Sequence, residues 1–167
     1  MVSVDLGRLF RHLFTTMWSV RRAFPSSSLR AVQRAIGETE ATHEGQVRFA
    51  VEHALDWSQL LAGKTARERA LEVFSQLRVW DTQHNNGVLI YLLLADRDVE
   101  IIADRGVHAH VGEGWEAICR RMEQSFGRGE YEAGVIEGVR AVAGHLQRHF
   151  PAQGPGRNEL PDQPVVL

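Results

Sequence analysis

The chain holds a single cysteine, Cys119, in 167 residues. An intramolecular disulfide framework is therefore excluded, and this usage fits a reducing compartment. No stretch approaches the roughly 20 consecutive apolar residues needed to cross a bilayer. The N-terminus carries no long uncharged apolar core followed by a small-residue cleavage site, so no signal peptide is expected and the cytoplasm is the default compartment. A basic excess is missing as well. Lys and Arg number 19 against 21 Asp and Glu, for a net charge of −2, which argues against a dedicated nucleic-acid binder. Neither a Walker loop nor a Gly-x-Ser-x-Gly elbow occurs, so phosphate-cradling and α/β-hydrolase chemistry are not expected.

What is present fits one domain with short extensions, since domains commonly run to about 100–200 residues. The first 24 residues read as one basic amphipathic helix. Leu6, Leu9, Phe10, Leu13, Phe14 and Met17 recur at spacings of three and four, and Arg8, Arg11, Arg21 and Arg22 decorate the remainder. Such a helix either packs on protein, the domain itself or a second copy, or lies on an anionic membrane surface. Packing on protein is the expectation for most such helices. The alternative is a non-catalytic adaptor that docks through residues 6–24 on a membrane-associated protein or a membrane surface, peripheral at the membrane. Pro25 ends this helix, and Ser26–Ser28 supply an N-cap for the next.

Residues 25–150 carry the domain. A helix is expected at about 29–42, a strand at 46–54, a loop at 56–64, and a helix capped by Thr65. Gly87–Ala95 is apolar almost throughout, as in a strand covered on both faces. The polar knot Asp96-Arg97-Asp98 makes a tight turn, and Val99–Asp104 returns as its hairpin partner. Helices follow at about 114–126 and 132–150. The tail, 151–167, is rich in Pro, Gly and polar residues and reads as disordered. The strand–helix–strand unit implies a parallel pair with a right-handed crossover. The fold is then α/β, a small mixed central sheet with helices on both faces.

The succession "EGQVRFAVE", "NNGVLIYLLLADRDVEIIADRG" and "FGRGEYEAGVIEGVRAV" resembles the TPM domain family over about 26–150. That family includes a plant thylakoid-lumen protein linked to photosystem II repair and many bacterial proteins. The resemblance implies a three-layer α/β/α sandwich, and for some members divalent cation binding, commonly calcium, and acid phosphatase activity. Relatives often carry Ser/Thr-Gly-Glu before the first strand, where this chain has Glu44-Gly45-Gln46.

Topology gathers the polar ends of the strands. With the first two strands parallel and the hairpin returning, Asp81, Asn85, Asn86, Asp104 and Glu44 are expected at one pole. Carboxylate and amide oxygens of this kind suit calcium or another divalent cation. A helix start near Gly112-Glu113 beside them would favour phosphate. Turn chemistry alone also accounts for each of these residues, and no catalytic residue is assigned. The opposite pole, with Asp96, Arg97 and Asp98, needs polar residues for its turn in any case. His108 and His110 on an extended segment would point one way, but a zinc site lacks further ligands there. His145 and His149 lie one turn apart near a helix C-terminus, where positive charge suits the dipole. Cys119 reads as a small core residue.

Overall fold

The computed structural model describes residues 5–112, 114–154 and 157–167. Two strands, β1 (Gln46–Glu52) and β2 (Gly87–Leu93), run parallel in register from Gln46↔Gly87 to Glu52↔Leu93, and every residue of both is buried. The apolar run of β2 is thus explained by cover on both faces. A third strand, β3 (Asp98–Ala103), returns antiparallel to β2, and β4 (Val165–Val166) lies parallel to the other edge of β1, giving the order β3-β2-β1-β4. Alternation along the strands divides the interior in two. Val47, Phe49, Val51, Val88, Ile90 and Leu92 face a layer built by α3 (Ser26–Glu40), α7 (Gly114–Gly127) and α8 (Tyr131–His149). Ala50, Leu89, Tyr91 and Leu93 face α4 (Trp57–Leu61), α5 (Ala66–Gln76) and the C-terminal segment. The expected three-layer α/β/α arrangement is what the chain adopts.

Local chemistry sets the ends of these elements. Thr65 and Glu68 form a reciprocal capping box at α5, with the Glu68 N–H donating to Thr65 Oγ1 at 3.2 Å and the Thr65 N–H to Glu68 Oε2 at 2.8 Å. Asp56 and Gln59 do the same for α4 inside the stretch expected to be a loop. The cap expected from Ser26–Ser28 is not formed. Pro25 occupies that position and α3 begins at Ser26, because proline supplies a fixed φ and lacks the N–H a helix start leaves unpaired.

The single N-terminal helix is two. α1 spans Leu6–Phe14 and α2 spans Met17–Ala23. The break falls at two threonines that bond locally: Thr15 Oγ1 donates to the Arg11 carbonyl at 2.8 Å, and the Thr16 N–H donates to Ser19 Oγ at 3.2 Å. It lets α2 turn Val20 and Phe24 into the core, where Phe24 meets Phe49 and Tyr131 with ring centroids 5.7 and 5.6 Å apart.

The tail is not disordered over its described residues. Gln46, buried at the start of β1, accepts the N–H groups of Glu159 and Leu160 through Oε1 at 2.8 and 2.9 Å. The Arg48 guanidinium donates to the Pro161 carbonyl, Leu160 is buried, and the Leu167 N–H donates to the Val51 carbonyl at 2.9 Å. Composition predicts disorder because it counts apolar content, whereas this segment is held by backbone hydrogen bonds to polar side chains of a buried strand. Gln46→Ala should therefore lower stability by about 1–3 kcal/mol, the cost of stranding one buried and one half-buried donor. Residues 157–167 should become a site of protease cleavage in that variant. Denaturant midpoints and limited proteolysis measure both, and an unaltered cleavage pattern would show that β4 and Leu160 hold the tail unaided.

Candidate functional site at the start of the central strands

The loop entering β2 and the loop leaving β3 are laced together by backbone. The Gly106 N–H donates to the Asn85 carbonyl at 3.1 Å, and the Asp104 N–H donates to the Gly87 carbonyl at 2.9 Å. Two glycines permit close backbone approach here, Gly106 to the loop before β2 and Gly87 to Val79 in the segment after α5. A Cβ on Gly87 would stand 1.9 Å from the Val79 carbonyl oxygen, and one on Gly106 would stand 2.6 Å from that of Asn85. Asn85 itself sits at φ 51°, a left-handed conformation that asparagine tolerates. The Asn86 amide is fully buried and donates through Nδ2 to the Glu44 carbonyl at 2.8 Å, which fixes which end of the amide is oxygen. Asn86 Oδ1 is buried and receives no hydrogen bond.

Asp104 is the N-cap of α6 (Arg105–Val111). Its Oδ1 accepts from the Arg105 N–H at 2.7 Å, while its Oδ2 is buried and receives nothing. The pole therefore brings together Asn85, Asn86, Asp104 and the Glu44 backbone. Asp81 is exposed in the turn after α5, its N–H bonded to the Arg78 carbonyl at 3.0 Å. Among the described residues no three side chains of His, Cys, Asp or Glu group closely enough to hold one ion. Glu44, Asp81 and Asp104 thus do not form a carboxylate cage. Glu113, expected at a helix start here, lies outside the described residues.

His108 and His110 are not on an extended segment but on α6, about two turns of helix begun by the Asp104 cap. His110 stacks on His149 with ring centroids 5.1 Å apart, and His145 meets Trp115 edge-on at 5.5 Å. Burial, then the charges of Arg148 and His149, lower the pKa of His145. Cys119 is half-buried against the core. Burial and the charges of Glu100 and Glu123 push its thiol up to about 12, so it is protonated and inert as a nucleophile at neutral pH.

Two constellations at the sheet's ends escape a reading of the sequence. Near the start of β1, Glu40, His43, Gln46 and Asp162 line a cavity of about 590 Å³. Burial, opposed by the Val47 N–H and reinforced by Asp162, pushes the Glu40 carboxyl up to about 7. At the other pole, Asp96 of the hairpin turn receives α1. Burial pushes its carboxyl up, but hydrogen bonds from His12 and Arg8 outweigh that and bring it down to about 2. Arg8 Nε stands 2.9 Å, Arg11 Nη2 3.3 Å and His12 Nε2 3.1 Å from its oxygens. His12 Nδ1 accepts the Leu55 N–H at 3.0 Å, so the ring is neutral with its proton on Nε2, directed at Asp96. Neither set has a motif, because each joins residues more than 80 positions apart in the chain.

A sequence model of the TPM domain matches residues 22–145, well over half of the chain. The chain belongs to the TPM family. Eleven chains among solved structures match this one. The BA42 protein from the psychrophilic bacterium Bizionia argentinensis superposes with a TM-score of 0.76 at 24% identity, over 86% of this chain and 95% of that one. This likeness speaks to fold. The N-terminal domain of a P. gingivalis protein is similar at 25% identity and a TM-score of 0.49, over 77% of this chain and 76% of that one. No curated protein matches. In this TPM domain the Asn-Asn-Gly and Asp-Arg-Gly motifs are the two halves of the laced pole. Among the described residues no helix is long and apolar enough to cross a membrane.

Two outcomes follow from this geometry. Gly87→Ala must displace Val79 or the start of β2, and should cost about 1–3 kcal/mol in a denaturant titration, as overpacking does. A neutral result would mean that the Val79 backbone yields to the added methyl at no cost. Glu40 binds its proton more tightly folded than unfolded, so its contribution is full below pH 4.5 and is lost as pH rises through about 7. Glu40→Gln, which mimics the protonated form, should remove that part of the pH dependence. Stability profiles of the two proteins should then diverge as pH rises from 4.5 to 7, and parallel profiles would refute the assignment.

Proposed function

We propose that this TPM domain binds a divalent cation, calcium or a similar hard ion, at the pole where β2 begins, with Asn86 Oδ1 and Asp104 Oδ2 as ligands. The observation that carries this reading is that both oxygens are buried without a hydrogen-bond donor. Neither atom can donate, so each calls for a cation or a donor such as water, and a hard cation would meet both at once. Leaving one buried and unmet costs about 1–3 kcal/mol. A hard cation takes carboxylate and amide oxygens and fills its shell with carbonyls and water. Asn85 and Glu44 are the neighbours placed to contribute, whereas exposed Asp81 has no oxygen in need of a partner and leaves the set.

Support for phosphatase activity is family membership alone. A cation here would neutralise charge on a phosphomonoester, but the Asp104 carboxylate already occupies the N-terminus of α6, where a phosphate would otherwise sit. Ion binding without a committed reaction is the conclusion.

Calcium and magnesium titrations followed by amide NMR test it. Saturable shifts are expected at Asn85–Gly87 and Asp104–Gly106, and Asp104→Asn, which keeps a capping oxygen and hence α6, should weaken them at least tenfold. Flat titrations through millimolar ion would end the proposal. Phosphate release from p-nitrophenyl phosphate that requires the ion and disappears in Asp104→Asn would add the catalytic step.

A further inference from the structure

The N-terminal helices are attached to the domain the wrong way round for a helix that hides its apolar side. The polar face of α1 is the docked one: Arg8, Arg11 and His12 converge on Asp96, and Arg8 Nη2 also donates to the Lys64 carbonyl at 2.9 Å. Leu9 packs inward against the core, but the larger part of the apolar face points outward. Leu6, Phe10, Phe14 and Trp18 follow one another at intervals of four residues and are 68%, 59%, 73% and 67% exposed. Leu13 adds 63% and Met17 39% beside them. The rings pair with neighbours: Phe10 and Phe14 stack at 6.4 Å, and Arg22 lies over the Trp18 ring at 5.6 Å. Exposed patches of contiguous large apolar side chains mark interaction sites.

We propose that the outward face of α1 and α2 docks on an anionic phospholipid surface. Charge selects the occupant. Arg8 and Arg11 pair with Asp96 on the docked side. Arg21 and Arg22 of α2 and Arg97 of the hairpin tip are exposed, Arg22 lying over the Trp18 ring, so these three supply basic charge beside the apolar face. Arg11, Arg22 and Arg97 of the hairpin tip line a cavity of about 1120 Å³ together with Phe14, Trp18 and Tyr131. Guanidinium groups beside aromatic anchors suit the depth profile of a bilayer interface, where rings lie at the acyl boundary and cations meet phosphates. Docking needs no refolding. Asp96 and the buried Val20 and Phe24 hold both helices in the presenting orientation beforehand.

The experiment uses the full chain with vesicles of phosphatidylcholine and of phosphatidylcholine mixed with phosphatidylserine. Co-sedimentation with the mixed vesicles is expected, with weak binding to the neutral ones. Phe14→Glu/Trp18→Glu should abolish it, and Arg21→Ala/Arg22→Ala should weaken it roughly thirtyfold, the value for losing two basic residues at an anionic surface. All four side chains are exposed, so thermal midpoints should not move, which separates lost docking from lost folding. Raised salt should weaken binding further. Failure to bind mixed vesicles overturns the proposal, and concentration-dependent dimerisation abolished by Phe14→Glu/Trp18→Glu would assign the face to a second copy instead. Equal affinity for neutral and mixed vesicles would also overturn it.

Discussion

Everything in this fold is positioned by one parallel strand pair with no exposed residue on either face. β1 and β2 are seven residues each and buried throughout, so each face requires a layer of its own, and the two clusters of apolar side chains on either side are the result. The polar residues on these strands then place constraints of their own. Glu52 is buried at the end of β1, where Arg69 of α5 grips it through Nε at 2.9 Å and Nη2 at 3.0 Å and Tyr91 donates its hydroxyl at 2.6 Å. Burial and the neighbouring Glu52 push the Tyr91 phenol pKa upward, which keeps the proton needed for that donation. Gln46 and Arg48 sit at the opposite end of β1, and both are met by the C-terminal segment. Burial of the strand thus dictates the cover, and polarity within the strand dictates which segments supply it.

The two ends of β2 have different characters. Seven residues at roughly 3.3 Å each separate them by about 20 Å. One end is built from backbone, amide and carboxylate oxygens; the other receives arginines and aromatic rings through a single aspartate. Asp96 joins the hairpin turn to α1, so the orientation of the N-terminal helices is inherited from the sheet. A protein that met an acidic surface through Trp18 and Phe14 would direct the oxygen-lined pole away from it.

The sequence was most informative where a residue's neighbours in the chain determine its state. The continuous apolar run of β2, the Asp-Arg-Asp turn, the Thr65 capping box and the glycines flanking the hairpin are local signals of burial, reversal or close approach, and each identified its element. Asn86 and Asp104 were legible as candidates because the hairpin returns the chain to its starting pole. Exposed Asp81 was not separable from them, since a turn carboxylate and a ligand carboxylate look alike in sequence. The segment around His108 and His110 read as extended because its alternation is that of a strand, while the deciding event is one cap by Asp104. The break at Thr15-Thr16, the joining of Asp96 to His12, and the pairing of Glu40 with Asp162 depend on contacts between distant parts of the chain. Periodicity does not register them. The tail shows the largest gap between composition and outcome, because Gln46 satisfies backbone groups that no count of apolar residues includes.

The two-residue strand β4 has a meaning beyond the energy it adds. Without it β1 would be an outer strand carrying a row of unpaired amides and carbonyls, the geometry that recruits further strands from other molecules. The far side of the sheet is guarded differently: Glu123 accepts the Val99 N–H at 3.2 Å, and Arg67 pairs with Glu100 on the same strand at 2.9 Å. The tail is thus a sheath on the sheet's most adhesive margin, and whether it stays in place governs how the protein behaves in a crowded solution as well as how firmly it folds.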